Sequence, residues 1–309
     1  MSKLIIPELN KIVLDSLDFF IVNQPPKLNT KNFSFGFVVG SGNAYNTGQI
    51  IFGNQKALYA NESNFSELLN NYSSLIKERV LKEAVIISAS GEKDAVWEVK
   101  MAKKAGLKTT LFTCEPDSSA AKLTDNVLPF RKIAEPYTYN FSTYFGMMIS
   151  HSGENAKDIK KELLETVEYF KKVNYKKYKS FAFIIPNKYE AIAGMINIKK
   201  EELFGPFLSL RAFSEGEARH AKFVHPSKDE LVISFSENKY FGEIKSRLEI
   251  NLKKNAGPGL IMALSYYLVG LIQSSKKQYF KNDIEAYCEK TGALAYKGKN
   301  KFSVIVPGN

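Results

Sequence analysis

Cysteine is almost missing from this chain of 309 residues: Cys114 and Cys288 are the only two. Two thiols cannot build a disulfide framework, and no cluster of cysteine and histidine at metal-ligand spacing accompanies them. No metal site is expected, and a reducing, cytoplasmic setting is. Histidine occurs three times and tryptophan once. Long apolar runs are absent too. The most apolar stretch, Leu260 to Ile272, spans about 13 residues against the roughly 20 that cross a bilayer, so it reads as a buried helix. Near the N-terminus Glu8, Asp15 and Asp18 interrupt any signal-type apolar core. Nor is there a run of five or six basic residues, although Lys and Arg outnumber Asp and Glu by 43 to 32, a net charge of +11. That excess attracts anions. Its scatter in short groups, Lys171, Lys172, Lys176, Lys177 and Lys179, then Lys297, Lys299 and Lys301, with acids between, fits a solvated surface. Tyr169, Tyr175 and Tyr178 lie near the first group, but nothing sets them on an exposed sheet for base stacking. Neither a membrane nor a nucleic acid is an expected partner.

Apolar residues make up 44% and charged residues 24%, an ordinary globular balance, and the length suits two domains. Short apolar runs alternate with helical spacing. Phe35 to Val39 predicts a strand ending at Gly40-Ser41-Gly42, followed by a helix over Ala44 to Leu58. Ala84 to Ile87 predicts a second strand, ending at Ser88-Ala89-Ser90-Gly91, and the next helix carries Ala95, Val96, Val99 and Ala102 before stopping at Gly106. Lys108 to Thr113 and Asn126 to Pro129 are further strands, and two long helices follow. The pattern restarts at Lys179, with strands at Ser180 to Ile185 and Leu231 to Phe235 and helices at Tyr189 to Glu202, Phe241 to Lys254 and Leu260 to Ser274. Alternation of this kind implies parallel sheets covered on both faces. The expected class is α/β, in two tandem copies covering 1–175 and 176–309. The second copy looks trimmed, with no strand where the first has Lys108 to Thr113.

In such sheets ligands bind where strand ends feed helix N-termini. Ser88 to Lys93 has the parts of a phosphate cradle: hydroxyls on Ser88 and Ser90, close backbone approach at Gly91, and a full positive charge on Lys93. The same residues also suit an ordinary helix cap through Ser90 or Glu92. Gly40 to Asn43 lacks the glycine that a dinucleotide loop needs at the sixth place, where Tyr45 stands.

The stretch from Ala84 to Lys93 (AVIISASGEK), followed by Glu98 to Thr113, resembles the centre of the sugar isomerase (SIS) domain. The resemblance implies flavodoxin-like αβα sandwiches that bind phosphorylated sugars, here two in tandem. It implies phosphate contacts from Ser88, Ser90, Gly91 and Lys93, from Gly42 and Asn43 in the first loop, and from Thr138 at the helix start after Glu135. Gly216-Glu-Ala-Arg-His220, shortly after Lys200-Glu201-Glu202, is similar to the catalytic segment in the isomerase half of glucosamine-6-phosphate synthase. Departures accompany the matches. Position 93 is Lys where the family carries Thr or Ser, the first-loop hydroxyl is replaced by Ala44 beside Asn43, and no glutaminase domain is present.

Moving a carbonyl between C1 and C2 of a sugar phosphate needs a group to open the ring and a base to carry a proton. His220, three residues after Glu217 and on the same helical face, suits ring opening. Glu201 or Glu202 is the candidate base, and Lys301 would steady an oxyanion or, if buried, form an imine. His225, before Pro226, suits a turn, and His151 a helix end. Trp97, Phe141, Tyr144 and Phe145 suit core positions, and Cys114 has no evident basic partner. The expected protein is a cofactor-independent isomerase or amino-sugar-phosphate deaminase or deglycase. It is expected to be a homodimer, since in the synthase family the histidine reaches the neighbouring subunit's site. The alternatives are a phosphoglucose/phosphomannose isomerase, a sugar-phosphate sensor and a silent partner subunit. The roughly 30 residues before the first expected strand are too few for a sensor's helix-turn-helix domain.

Overall fold

The computed structural model describes residues 5–296 and 300–309, so Lys297 and Lys299 lie outside the described residues. Helix α1 (Leu9–Val22) comes first. It is followed by β1 (Gly36–Gly40), α2 (Asn43–Phe52), β2 (Ala57–Ala60), α3 (Phe65–Asn71), α4 (Ser73–Lys77), β3 (Glu83–Ile87), α5 (Asp94–Lys104), β4 (Lys108–Thr113) and β5 (Asn126–Pro129). The chain continues through β6 (Glu135–Pro136), α6 (Phe141–Ser152), α7 (Ala156–Phe170), β7 (Ser180–Ile185), α8 (Ala191–Phe204), β8 (Ser209–Ser214) and α9 (Glu215–Ala221). It closes with β9 (Glu230–Ser234), β10 (Arg247–Glu249), α10 (Pro258–Ser275), α11 (Tyr279–Ala286) and β11 (Ile305–Val306).

Strands β2-β1-β3-β4-β5 form one sheet and β10-β9-β7-β8 another, every pairing parallel. Continuous apolar strands such as GFVVG and SFAFII are what a sheet covered on both faces requires. Alternate residues of β1 point opposite ways. Phe37 and Val39 join the core under α3 and α5 with Ile86 and Val99, whereas Val38 meets α2 at Gly48. In both sheets the strand order reverses beside the first strand, between β1 and β3 and again between β7 and β9.

The α/β class, parallel sheets and shortened second copy stand as expected. The element missing from the second copy is different. The counterpart of β4 is present as β10, and the second sheet lacks a counterpart of β5. The helix expected over Phe241 to Lys254 is instead a loop, a 3-10 turn at Ile244–Ser246 and β10. The Asn238 carboxamide accepts from the Tyr240 and Phe241 amides, and the Arg247 guanidinium donates to the carbonyls of Asn238 and Gly242. These bonds satisfy the backbone outside any helix.

The chain divides into two compact units. One comprises the described residues up to Val22, Ala134–Phe141 and Glu154–Pro307; the other comprises Asn23–Ile133, Ser142–Gly153 and Gly308–Asn309. The two large sheets fall on either side of the expected boundary at 175/176, but α1, α7 and the segment around β6 group with the second sheet. In that unit α10 is the central element. It is buried along most of its length among α1, α7 and α8. The Glu154 carboxylate accepts from the amides of Gly259 and Leu260 and caps its N-terminus. No helix among the described residues is long and apolar enough to cross a membrane.

Candidate functional site

In the first-sheet unit the loops after β1 and β3 lie side by side, because these strands pair in register from Gly36 against Glu83 to Gly40 against Ile87. They flank the point where strand order reverses, where α/β sheets hold ligands. The two loops share one geometry. Gly42, before α2, has φ 56° and ψ −119°; Lys93, before α5, has φ 57° and ψ −120°, a conformation that favours glycine. Neither helix start has a side-chain cap, so neither Ser90 nor Glu92 caps α5. The Ser88 hydroxyl instead accepts from the Gly91 amide (3.2 Å) and the Ser90 hydroxyl from the Glu92 amide (3.3 Å), while Glu92 accepts from the Ser119 amide (2.8 Å). Gly91 has φ 60°, and a Cβ there would stand 2.0 Å from the Ser118 hydroxyl. The loop is thus folded against residues 118–120, the Ala120 amide donating to the Gly91 carbonyl at 2.9 Å, and the Ala95 and Val96 amides of α5 donate to the Glu92 and Lys93 carbonyls. Desolvation pulls the Lys93 ammonium below the usual lysine range, and Asp94 opposes this. Asn43 is buried, and its Oδ1 has no hydrogen-bond partner.

Thr138 belongs to the other unit, where its carbonyl meets a buried charged pair. The Lys199 ammonium, with none of its side chain exposed, donates to the Thr138 carbonyl and to the Glu202 carboxylate. It lies 5.9 Å from the centre of the Tyr266 ring. Burial raises the Glu202 carboxyl above the ordinary carboxylate range, and Lys199 opposes this without cancelling it. Glu202 keeps 24% of its side-chain surface. A carboxyl perturbed in this way, held by a fixed ammonium and open on one side, suits a general base. Thr138 itself has φ 75°, an unusual conformation for a β-branched residue, and its hydroxyl is buried without a partner.

The two expected bases are therefore not equivalent. Glu201 is exposed, pairs with Lys200 at 2.6 Å, and lines an open hollow with Ser209 and Leu210. Glu217 is taken up by a capping box: it accepts from the Ser214 amide (2.8 Å) while the Ser214 hydroxyl accepts from the Glu217 amide (3.3 Å). It is not bonded to His220, which is exposed in the last turn of α9. Lys301 is exposed and bonds Glu289 at 2.8 Å, so the burial that imine formation would require is absent. His225 is exposed in a bend, and Trp97 is half-buried with its indole nitrogen donating to Asp94. Phe141, Tyr144 and Phe145 are core residues, as expected. His151 lies in the last turn of α6, as expected, and burial pulls it below the usual imidazole range, against the cationic form.

Two buried charged groups escaped the sequence reading. Lys199 looked like one more surface lysine, and only its three-residue spacing from Glu202 on one helical face hinted at a pair. Glu98 on α5 is 2% exposed, with Oε1 unpartnered, and burial beside Asp94 and Glu62 pushes it up to about 8. Among the described residues no three His, Cys, Asp or Glu side chains converge as metal ligands would.

Neither a family model nor a curated protein matches the sequence. Solved structures do. Glucosamine-6-phosphate deaminase from Thermotoga maritima superposes with TM-score 0.61 at 14% identity, over 86% of this chain and 93% of its own. The C-terminal domain of glucosamine-fructose-6-phosphate aminotransferase from Francisella tularensis gives 0.55 at 13%, over 87% and 95%. Tagatose-6-phosphate ketose/aldose isomerase from Escherichia coli gives 0.54 at 13%, over 86% and 88%. The fold is thus the tandem sugar isomerase fold that residues 84–113 resemble.

Proposed function

We propose that this chain binds a hexose 6-phosphate and catalyses the proton transfer that moves a carbonyl between C1 and C2, as an aldose–ketose isomerase or an amino-sugar-phosphate deaminase. The observation that carries this reading is Glu202, a carboxyl raised by burial, bonded to a fully buried lysine and partly open to solvent. A base with its pKa raised toward the working pH abstracts a carbon-bound proton more effectively than an ordinary carboxylate. Lys199, anchored on the Thr138 carbonyl, fixes the carboxylate's orientation and favours its ionised form. Ser88–Lys93 is the candidate phosphate loop, where the Ser88 and Ser90 hydroxyls and the Lys93 ammonium supply donors. Gly42 and Asn43 border it. The similar structures support the substrate class, since the three named above are a deaminase, an aminotransferase domain and an isomerase of sugar 6-phosphates.

His220, exposed on α9, acts in the site of a neighbouring subunit as the resemblance implies, which makes the active species a homodimer. Sedimentation of an active monomer would remove this part. Assays on fructose 6-phosphate and glucosamine 6-phosphate test the whole. Glu202→Gln is expected to lose about 100-fold or more in kcat with phosphate binding retained, and Ser88→Ala with Ser90→Ala to weaken binding. The exposure of Lys301 and His220 favours one second reading, a sensor that binds without turnover. Calorimetric binding by a wild-type protein inactive on both sugars would select it.

A further inference from the structure

Glu202 is held by Lys199, and Lys199 by the carbonyl of Thr138. That carbonyl sits in a strained turn. Two of the residues between β6 and α6, Thr138 at φ 75° and Asn140 at φ 49°, hold left-handed backbone without being glycine. Such conformations persist only where the surroundings over-determine them. Downstream, the Glu135 carboxylate closes the turn by accepting from the Phe141 amide at 2.8 Å. Upstream, the chain near its C-terminus clamps it. Strand β11 pairs with β6, the Tyr137 amide donates to the Val304 carbonyl at 2.7 Å, and the Tyr137 ring packs on Phe302 with centroids 5.1 Å apart at 32°. Phe302 is tied back in turn, its amide donating to the Cys288 carbonyl at 3.0 Å.

We infer that Phe302 is a positioning residue for Glu202, acting through the Tyr137 ring and the Thr138 carbonyl. The inference rests on the reading of Glu202 as the base. With the ring contact gone, Tyr137 is released, the Thr138 backbone relaxes toward the extended region, and its carbonyl leaves Lys199. More of the carboxyl is then open to water than the part already exposed. The charged and titratable groups around Glu202 are Lys199 on its own helix, Tyr137 in the turn with Tyr287 and Tyr296 beyond it, and Tyr266 of α10 beneath the Lys199 ammonium. Of the two effects on Glu202, burial is the larger, so its loss outweighs a loosened Lys199 and the titration midpoint falls.

The test is a carbon-13 NMR titration of full-length protein carrying glutamate labelled at the carboxyl carbon, with the Glu202 signal assigned by Glu202→Gln. Wild type is expected to titrate above the ordinary carboxylate range. Phe302→Ala should move the midpoint down by about one pH unit or more, and Phe302→Tyr, which keeps the ring, should restore it. Phe302→Leu serves the same purpose should the alanine variant not fold. An elevated wild-type midpoint that neither the alanine nor the leucine variant lowers overturns this inference and leaves the base reading standing. An ordinary wild-type midpoint overturns the base reading, and the inference with it.

Discussion

Lys199 and Glu202, one helical turn apart on α8, bond to each other with the lysine side chain wholly buried and also bonded to the Thr138 carbonyl. Breaking such a pair from one side leaves an uncompensated charge. Lys199→Met and Glu202→Leu should each destabilise the protein by about 3 kcal/mol, whereas the double variant should cost less than the sum of the two. Urea denaturation of the four proteins in the cycle measures this, and simple additivity would show that the pair is not coupled.

Lys93 occupies backbone space that suits Gly42 at the equivalent position of the neighbouring loop. Lys93→Gly should therefore raise stability by about 1 kcal/mol while weakening sugar-phosphate binding through the lost ammonium. A melting curve and a calorimetric titration of the same variant check the two halves. A lower melting temperature would contradict the backbone argument.

Glu98 links stability to pH in the sense opposite to a salt-bridged carboxylate. Its carboxyl titrates at about 8 in the folded protein and near 4.5 in an unfolded chain, so between these values the folded state binds more protons. Stability should fall as pH rises across that window and level off above it. Glu98→Gln should match wild type near about pH 5 and exceed it by about 2–4 kcal/mol above about pH 8. A parallel pH dependence in the two proteins would rule this out.

Gly270 is where α10 touches α1: an added Cβ would lie 2.1 Å from the Asn10 backbone nitrogen. Because the obstacle is backbone and not a movable side chain, Gly270→Ala should cost about 3 kcal/mol or prevent folding. Gly91→Ala meets a side chain instead, the Ser118 hydroxyl, so adding Ser118→Ala should recover part of its loss. The remainder reflects the positive φ at Gly91. Melting temperatures of the three variants separate these cases.

In the two large sheets the strands the sequence leaves unmarked are β2, β8 and β10, all at sheet edges. An edge strand is covered unevenly, so β8 reads SLRAFS, with Ser209 and Arg211 exposed, instead of as an apolar run. Interior strands such as β3 and β7 were legible because both faces are buried and every position must be apolar. The division into units was not legible either. Helix α1 and β6 reach the second sheet's unit through packing and pairing that no local pattern records.

What the sequence determined by itself was the alternation of strand and helix, the placing of Gly42 and Ser88–Gly91 where strands end, and the burial of α10. Each of these depends on local periodicity and backbone freedom. What the tertiary structure alone decided was which charged residues leave water. Lys199 and Lys200 are adjacent, as are Glu201 and Glu202, yet Lys199 is wholly buried where Lys200 is not, and Glu202 is largely covered where Glu201 is exposed. That choice is made by the rotation of α8 against Thr138, a residue 61 positions away along the chain. Desolvation depends on what lies nearby in space, so the raised carboxyls of Glu202 and Glu98 emerge only once the chain has folded.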